Sequence, residues 1–185
     1  MVSYWVGERV RLRAVEPDDW AAFARFAEHE ERLGDLLNPP RSAEGHRQWA
    51  KERSAATPEG DCFPLVVEEI GTREAVGSVG VHHADPRAGW FEYGVTIDAE
   101  HRRNGYAAEA VVLLLRYMFA ERRYHKCQAQ VFAYNEASLT FQRRMGFVEE
   151  GRLRDRVFTD GRHHDVVIMG ILADEFARCH PPGAR

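Results

Sequence analysis

Arg102-Arg103-Asn104-Gly105-Tyr106-Ala107 stands just before the most apolar helix-like stretch of the chain. In that stretch Ala110, Val111, Leu114, Leu115 and Met118 fall on one helical face, and Val112 and Leu113 extend the apolar surface around the cylinder. A strand-like segment, Trp90 to Ile97, comes before the loop. A strand-to-helix loop with a glycine and a small residue lets successive backbone N–H groups converge, and the helix N-terminus adds about half a positive charge there. Such a spot attracts phosphate. Gly105 permits a backbone conformation or close approach that a side chain forbids, Ala107 keeps the first turn clear, and Arg102 and Arg103 add charge. Taken alone, the same residues also read as an ordinary turn with exposed arginines. Neither GxGxxG nor GxxxxGK[ST] occurs here, which disfavours a Rossmann dinucleotide site or a nucleotide-hydrolysing P-loop.

Upstream of this loop, Val10, Leu12 and Ala14 alternate with Arg9, Arg11 and Arg13, a period of two that predicts a first strand with one buried face. Pro17, Asp18 and Asp19 suit a helix start, and Trp20, Phe23, Ala24 and Ala27 follow at helical spacing. Asn38-Pro39-Pro40 breaks the chain, and Ser42 is an N-cap for a second helix carrying Trp49 and Ala50. This region reads as a lid or substrate wall. Phe63 to Glu69 and Ala75 to His82 are hairpin strands around Gly71-Thr72, and Asp85-Pro86 turns the chain into Trp90 to Ile97.

Downstream, Lys126 to Ala133 is a strand. A helix from about Glu136 ends at Gly146, a left-handed C-cap with Phe147 packing back after it. Val148 to Arg156 and Asp165 to Leu172 are strands joined through Asp160-Gly161. The order is a strand, two helices, three strands, a helix, a strand, a helix and two strands. One domain, residues 1–178, accounts for all of it, with 179–185 as a flexible tail.

Composition bounds the function. A chain of 185 residues with 44% apolar content buries one sizeable core. A formal charge of -4 with both signs mixed shows no basic stripe for nucleic acid. Cys62, Cys127 and Cys179 are odd in number and widely spaced, without ligand spacing, which points to a reduced cytoplasmic setting and no metal. The apolar run Ala110 to Leu115 is far short of the roughly 20 residues of a membrane span, and no signal-peptide core opens the chain.

The loop Arg-x-x-Gly-x-Ala, the apolar helix, the strand after it, then Asn135-x-x-Ser138 and Met145-Gly146-Phe147, together resemble the GNAT superfamily of N-acetyltransferases. Within it the sequence is similar to the RimJ/RimL branch, which acetylates N-terminal amines of ribosomal proteins, and to the related spermidine acetyltransferases. Arg11-Leu12-Arg13-Ala14 with Pro17-Asp18-Asp19, and Glu149-Glu150-Gly151-Arg152-Leu153 with Asp160-Gly161, extend the likeness toward both ends. The resemblance implies an α/β (α+β) fold: a mixed, strongly twisted sheet of about seven strands with about four flanking helices. Two central parallel strands, Trp90 to Ile97 and Lys126 to Ala133, would splay into a V that admits the pantetheine arm. It implies acetyl-CoA as co-substrate, bound by Arg102, Arg103, Asn104, Gly105, Tyr106 and Ala107. Val95 and Ile97 on the splayed strand, with Asn135 and Ser138, would complete that site. The acceptor would be a primary amine on a protein N-terminus, a polyamine or a small metabolite.

An alkyl ammonium must lose a proton before it attacks a thioester. Glu92 is the candidate base, since a carboxylate on this strand serves several family members; a solvated or salt-bridged strand glutamate fits the residue equally. His82, His83 and Asp85, and His163, His164 and Asp165, can relay protons from the ends of neighbouring strands. Many GNAT enzymes protonate the leaving thiolate with a tyrosine seven residues after the asparagine, but Gln142 stands there. Ser138 matches the serine that the RimJ/RimL branch places near the sulfur, though a helix-start serine bonding the backbone fits as well. Tyr93, Tyr106 and Tyr134 are alternative phenols. A coenzyme A-binding sensor with the same fold, and a non-enzymatic α/β interaction module, remain as rival readings. An exposed final strand offers an edge for a homodimer.

Overall fold

The computed structural model describes residues 3–29, 39–57 and 60–181. Seven strands form one sheet: β1 (Val10–Arg13), β2 (Phe63–Glu69), β3 (Ala75–Asp85), β4 (Trp90–Ile97), β5 (Lys126–Phe132), β6 (Val148–Thr159) and β7 (Arg162–Leu172). Their order is β1-β2-β3-β4-β5-β7-β6. Among the described residues five α-helices accompany them: α1 (Trp20–His29), α2 (Ala43–Ala55), α3 (Tyr106–Ala120), α4 (Glu136–Arg144) and α5 (Ala173–Cys179). No helix is long and apolar enough to cross a membrane among the described residues. The chain divides into two compact units, Met1–His82 with Gly94–Arg116, and His83–Tyr93 with Tyr117–Arg185.

In the first unit β1 and β2 pair antiparallel, with Arg11 opposite Glu68. Val10 and Leu12 are buried as the alternation predicts, but the strand ends at Arg13, so Ala14 is exposed and Val15 takes the next core place. Pro17–Asp19 form a short 3-10 turn ahead of α1 rather than its first turn. Asp19 accepts the Glu16 N–H at 2.7 Å and pairs with Arg13 at 2.8 Å, so the charges at this corner face inward. Ser42 caps α2 by accepting the Gly45 N–H at 3.0 Å, which satisfies a donor the helix leaves free. Asn38 of the predicted break lies outside the described residues. Val15, Ala50 and Val66 form a buried cluster on which Trp20, Phe23 and Trp49 pack.

In the second unit β4 and β5 run parallel, but their ladder holds only Trp90, Phe91 and Glu92 against Lys126, Cys127 and Gln128. The ladder ends there, short of the ends of both strands. Phe91 packs edge-on against Phe119 and Tyr124, and Phe119 meets Phe176 of α5. The sequence reading did not anticipate α5. It is a short helix whose Glu175 accepts the Leu172 N–H at 2.9 Å and whose Phe176 is buried. The rest of the chain tail, 182–185, lies outside the described residues.

α4 ends as read. Gly146 has φ +95°, its N–H donates to Arg143, and the Phe147 N–H donates to Gln142, which closes a Schellman cap. The last hairpin is longer than its apolar pattern suggested. Asp160 and Gly161, both at positive φ, turn directly between paired Thr159 and Arg162. The final strand is not the edge: β7 pairs with β5 on one side and β6 on the other, so β6 takes the edge with Val148, Leu153 and Phe158 exposed.

Glu68 is 3% exposed, with Arg11 Nε 2.7 Å away and Arg13 also bonded to it. Burial pushes its carboxyl up, but the hydrogen bonds from Arg11 and then Arg13 pull it further down, leaving it below the ordinary carboxylate value. The stabilisation is therefore present above the unfolded-state pKa and is lost as pH falls through the folded one. Glu68→Gln should cost about 2–3 kcal/mol in urea unfolding at neutral pH, below the fully buried range because both arginines reach solvent. The gap between variant and parent should narrow as pH drops below about 4, where the unfolded parent takes up its proton, and close once pH passes below the lowered folded-state value.

Candidate functional site

The loop before α3 is held from several directions within the first unit. Arg9 Nη1 donates to the Asn104 carbonyl at 3.0 Å, and Asn104 Nδ2 donates to the His101 carbonyl at 3.2 Å. The Glu109 carboxylate accepts the Arg9 N–H at 3.1 Å and also that of Glu8. Tyr106 OH donates to Glu69 Oε1 at 2.6 Å, which raises the phenol above its ordinary pKa. Tyr106 is thus an anchor in the fold, buried at the head of α3. Arg9, Glu69 and Glu109 went unnoticed in the sequence, and no spacing could have revealed them, because their partners lie far along the chain.

These anchors leave the loop backbone open. Arg103 and Gly105 adopt φ of 67° and 81°, and the first helical bond is Glu109 N–H to the Gly105 carbonyl. Among the described residues, the backbone N–H groups of Arg103, Asn104, Gly105, Tyr106, Ala107 and Ala108 make no hydrogen bond. A run of unpaired donors beside alternating backbone handedness is a nest for an anion. Gly105 is favoured by its φ, and a Cβ there would lie 2.6 Å from Arg9 Nη1 and push that guanidinium off the loop. Arg102 and Arg103 are exposed beside it. Val95 and Ile97, both half-buried, lie on β4 beyond the last ladder pair with β5.

The first unit also holds a cavity of about 810 Å³. α1 contributes Trp20 and Phe23, α2 contributes Trp49 and His46, and the sheet contributes Ser78 and Thr96. Trp20 and Trp49 serve both core and cavity, packing on the Val15–Ala50–Val66 cluster and lining the space. His82 shares its face of β3 with Ser78 by alternation, and its ring lies over Gly94, where a Cβ would sit 2.3 Å from Nε2.

In the second unit Glu92 Oε2 accepts Gln130 Nε2 at 2.9 Å and Gln128 Nε2 at 3.4 Å. Among the described residues it has no salt-bridge partner, and it is half-buried. Asn135 caps α4: its side-chain oxygen accepts the Ser138 N–H at 3.0 Å. That bond holds Ser138 half-buried on the first turn, with its hydroxyl uncommitted among the described residues. Gln142 is 5% exposed and accepts the Tyr93 hydroxyl at 2.8 Å. Burial above all, then the nearby Cys127 thiol, drives the Tyr93 phenol far above its ordinary value against the opposing Gln142 bond. Tyr93 therefore stays protonated at neutral pH. His83 lies tilted against Trp90, and His164 and His163 meet Tyr134 and Phe158 edge-on. Among the described residues, no group of three or more His, Cys, Asp or Glu could hold a metal ion.

The family model described as an acetyltransferase (GNAT) domain matches residues 9–148. The chain is 32% identical to an uncharacterized SPbeta prophage-derived N-acetyltransferase, YokL, of Bacillus subtilis, over 97% of this chain and 98% of the relative. It is 27% identical to the putative ribosomal N-acetyltransferase YdaF of the same species, over 95% of this chain and 98% of the relative. In fold it is similar to the spermidine N-acetyltransferase of Vibrio cholerae solved with CoA and spermine, with a TM-score of 0.77 and 24% identity. That alignment covers 90% of this chain and 97% of the other.

The buried Tyr93–Gln142 pair is testable by itself. Tyr93→Phe leaves the Gln142 oxygen without its donor, so the variant should lose about 1–3 kcal/mol in denaturant unfolding. Replacing both partners, as Tyr93→Phe with Gln142→Leu, should recover most of that loss, since no buried polar atom is then orphaned.

Proposed function

We propose, for a chain that belongs to the GNAT acetyltransferase family, that the Arg102–Ala107 loop holds the pyrophosphate of acetyl-CoA and the aromatic cavity admits the acceptor. The activity is that of an N-acetyltransferase: an acetyl group moves to an amine nitrogen. The observation that carries the loop assignment is the run of unpaired N–H groups from Arg103 to Ala108 at the head of α3. Diphosphate is an anion of the right size and charge for such a nest. Val95 and Ile97 offer backbone groups to the pantetheine amides. The near full-length likeness to a putative ribosomal N-acetyltransferase supports a place in the RimJ/RimL branch.

Acetyl-CoA supplies a thioester whose carbonyl carbon is the electrophile. Glu92 accepts the ammonium proton, and its Oε2 bonds to Gln128 and Gln130 hold the carboxylate in one orientation. The freed amine attacks, the C–N bond forms, and the C–S bond breaks with its electron pair leaving on sulfur. Ser138, set by the Asn135 cap, donates its hydroxyl hydrogen bond to that sulfur. The second amine proton ends on the thiolate. Gln142 has no acidic proton to give, and its oxygen is already engaged by Tyr93. A thiol of pKa about 8.5 leaves with modest assistance, so orientation by the loop carries much of the rate.

Coenzyme A should raise the melting temperature in a saturable way, because a ligand that binds only the folded state stabilises it. Absence of any shift at high coenzyme A concentration would refute the loop assignment. Glu92→Gln and Ser138→Ala should each lower kcat for thiol release, by about 10²–10⁴-fold for the base and by less for the serine. Protection by coenzyme A should persist in both. Unchanged kcat in either variant would remove that residue from the mechanism.

A further inference from the structure

The cavity walls carry information about the acceptor that the family does not. Phe23 sits 4.5 Å from Trp49 and 5.5 Å from Phe26, ring centre to ring centre, and all three line the space. Phe23 and Trp49 also pack on the Val15–Ala50–Val66 cluster and Phe26 is buried, so the wall is apolar before any ligand arrives. The remaining open face of Trp20 is already covered: the Arg47 guanidinium lies 4.2 Å from its ring centroid. A cation–π seat that a charged ligand would seek is thus taken by the protein's own arginine.

The charge of the wall tells the same story. Among the described lining residues Glu28 is the one carboxylate, and Arg41 offsets it. Burial, then the neighbouring Arg41, lowers the His46 pKa, so that imidazole is neutral at neutral pH. A polyamine carries several ammonium groups, each needing a carboxylate or retained water. The described wall gives one such partner, Glu28, and sets the opposite charge of Arg41 on the same lining. A single amine differs, since its only charge is discharged before it reacts. An aryl or branched apolar body gains by leaving water and by edge-to-face contact with Phe23 and Trp49. A cavity of about 810 Å³ accommodates such a molecule, within the range of small-ligand pockets.

Building on the reading of this cavity as the acceptor site, we propose that the enzyme acetylates a monoamine with an aromatic body, free or as the first residue of a peptide, in preference to polyamines. The ring lies against Phe23 and Trp49, and the amine nitrogen lies toward Thr96 and Ser78 on the sheet. Glu28 and Arg41, both exposed, stand at the rim, where they suit the polar ends of a peptide better than a chain of ammonium groups.

The test compares kcat/KM for thiol release from acetyl-CoA with 2-phenylethylamine, a phenylalanyl dipeptide amide, spermidine and isobutylamine. We expect an advantage of at least about tenfold for one of the two phenyl acceptors over spermidine. Which of the two leads distinguishes a free amine from a peptide N-terminus. Phe23→Leu keeps an apolar side chain but removes the ring, and should raise KM for the phenyl acceptor by about 2- to 10-fold. It should leave coenzyme A protection intact. Spermidine equal or superior to both phenyl acceptors would overturn the proposal and leave acetyl transfer standing. So would a phenyl KM indifferent to Phe23→Leu. No thiol release with any amine, together with no thermal protection by coenzyme A, would instead bring down the underlying assignment.

Discussion

The Glu109 carboxylate, bonded to the backbone N–H groups of Glu8 and Arg9, is the contact on which the anion loop depends. It fixes the first turn of α3 to the start of β1, and Arg9 then reaches back to the Asn104 carbonyl. With its carbonyl side pinned, the loop turns its N–H groups away unpaired. Unpaired backbone donors are costly when they have no solvent or ligand, so a run of them persists only where an anion or water can meet them. Gly105 is the hinge of this arrangement, because a left-handed φ and the approach of Arg9 both disfavour a side chain.

A second theme is how polar groups are committed. Asn135 spends its carbonyl oxygen on capping α4, and that same bond positions Ser138. Gln142 and Tyr93 satisfy one another in the interior, so neither is available for proton transfer. Glu92 is oriented by two amides from β5 without being neutralised by a cation. Groups with every atom engaged by the fold build the scaffold. In the proposed mechanism the chemistry falls on two that have an atom left over, Glu92 and Ser138.

Much of the architecture was legible one element at a time. Ser42 and Gly146 mark helix ends because their side-chain oxygen or absent Cβ solves a local backbone problem, and local problems are visible in local sequence. Asp160-Gly161 announced its hairpin for the same reason, although the paired strands run further than their apolar pattern. Exposed β6 lacks clean alternation, and its pairing is supplied by β7. The helix α5 was missed because it is short and amphipathic only through Phe176, whose partners Phe119 and His180 are brought to it by the fold.

The sequence by itself determined the family, the order of nearly all elements and the position of the loop before α3, since periodicity, caps and turn residues act over a few residues. Tertiary structure alone decided which charges hold that loop, that β7 rather than β6 lies inside the sheet, and that Gln142 is paired to Tyr93. It also decided the character of the cavity, where Trp20, Phe23 and Trp49 meet Ser78 and Thr96. These are contacts between residues remote in the chain. Their energies depend on distances that only the closed fold establishes, so no spacing in the linear sequence encodes them.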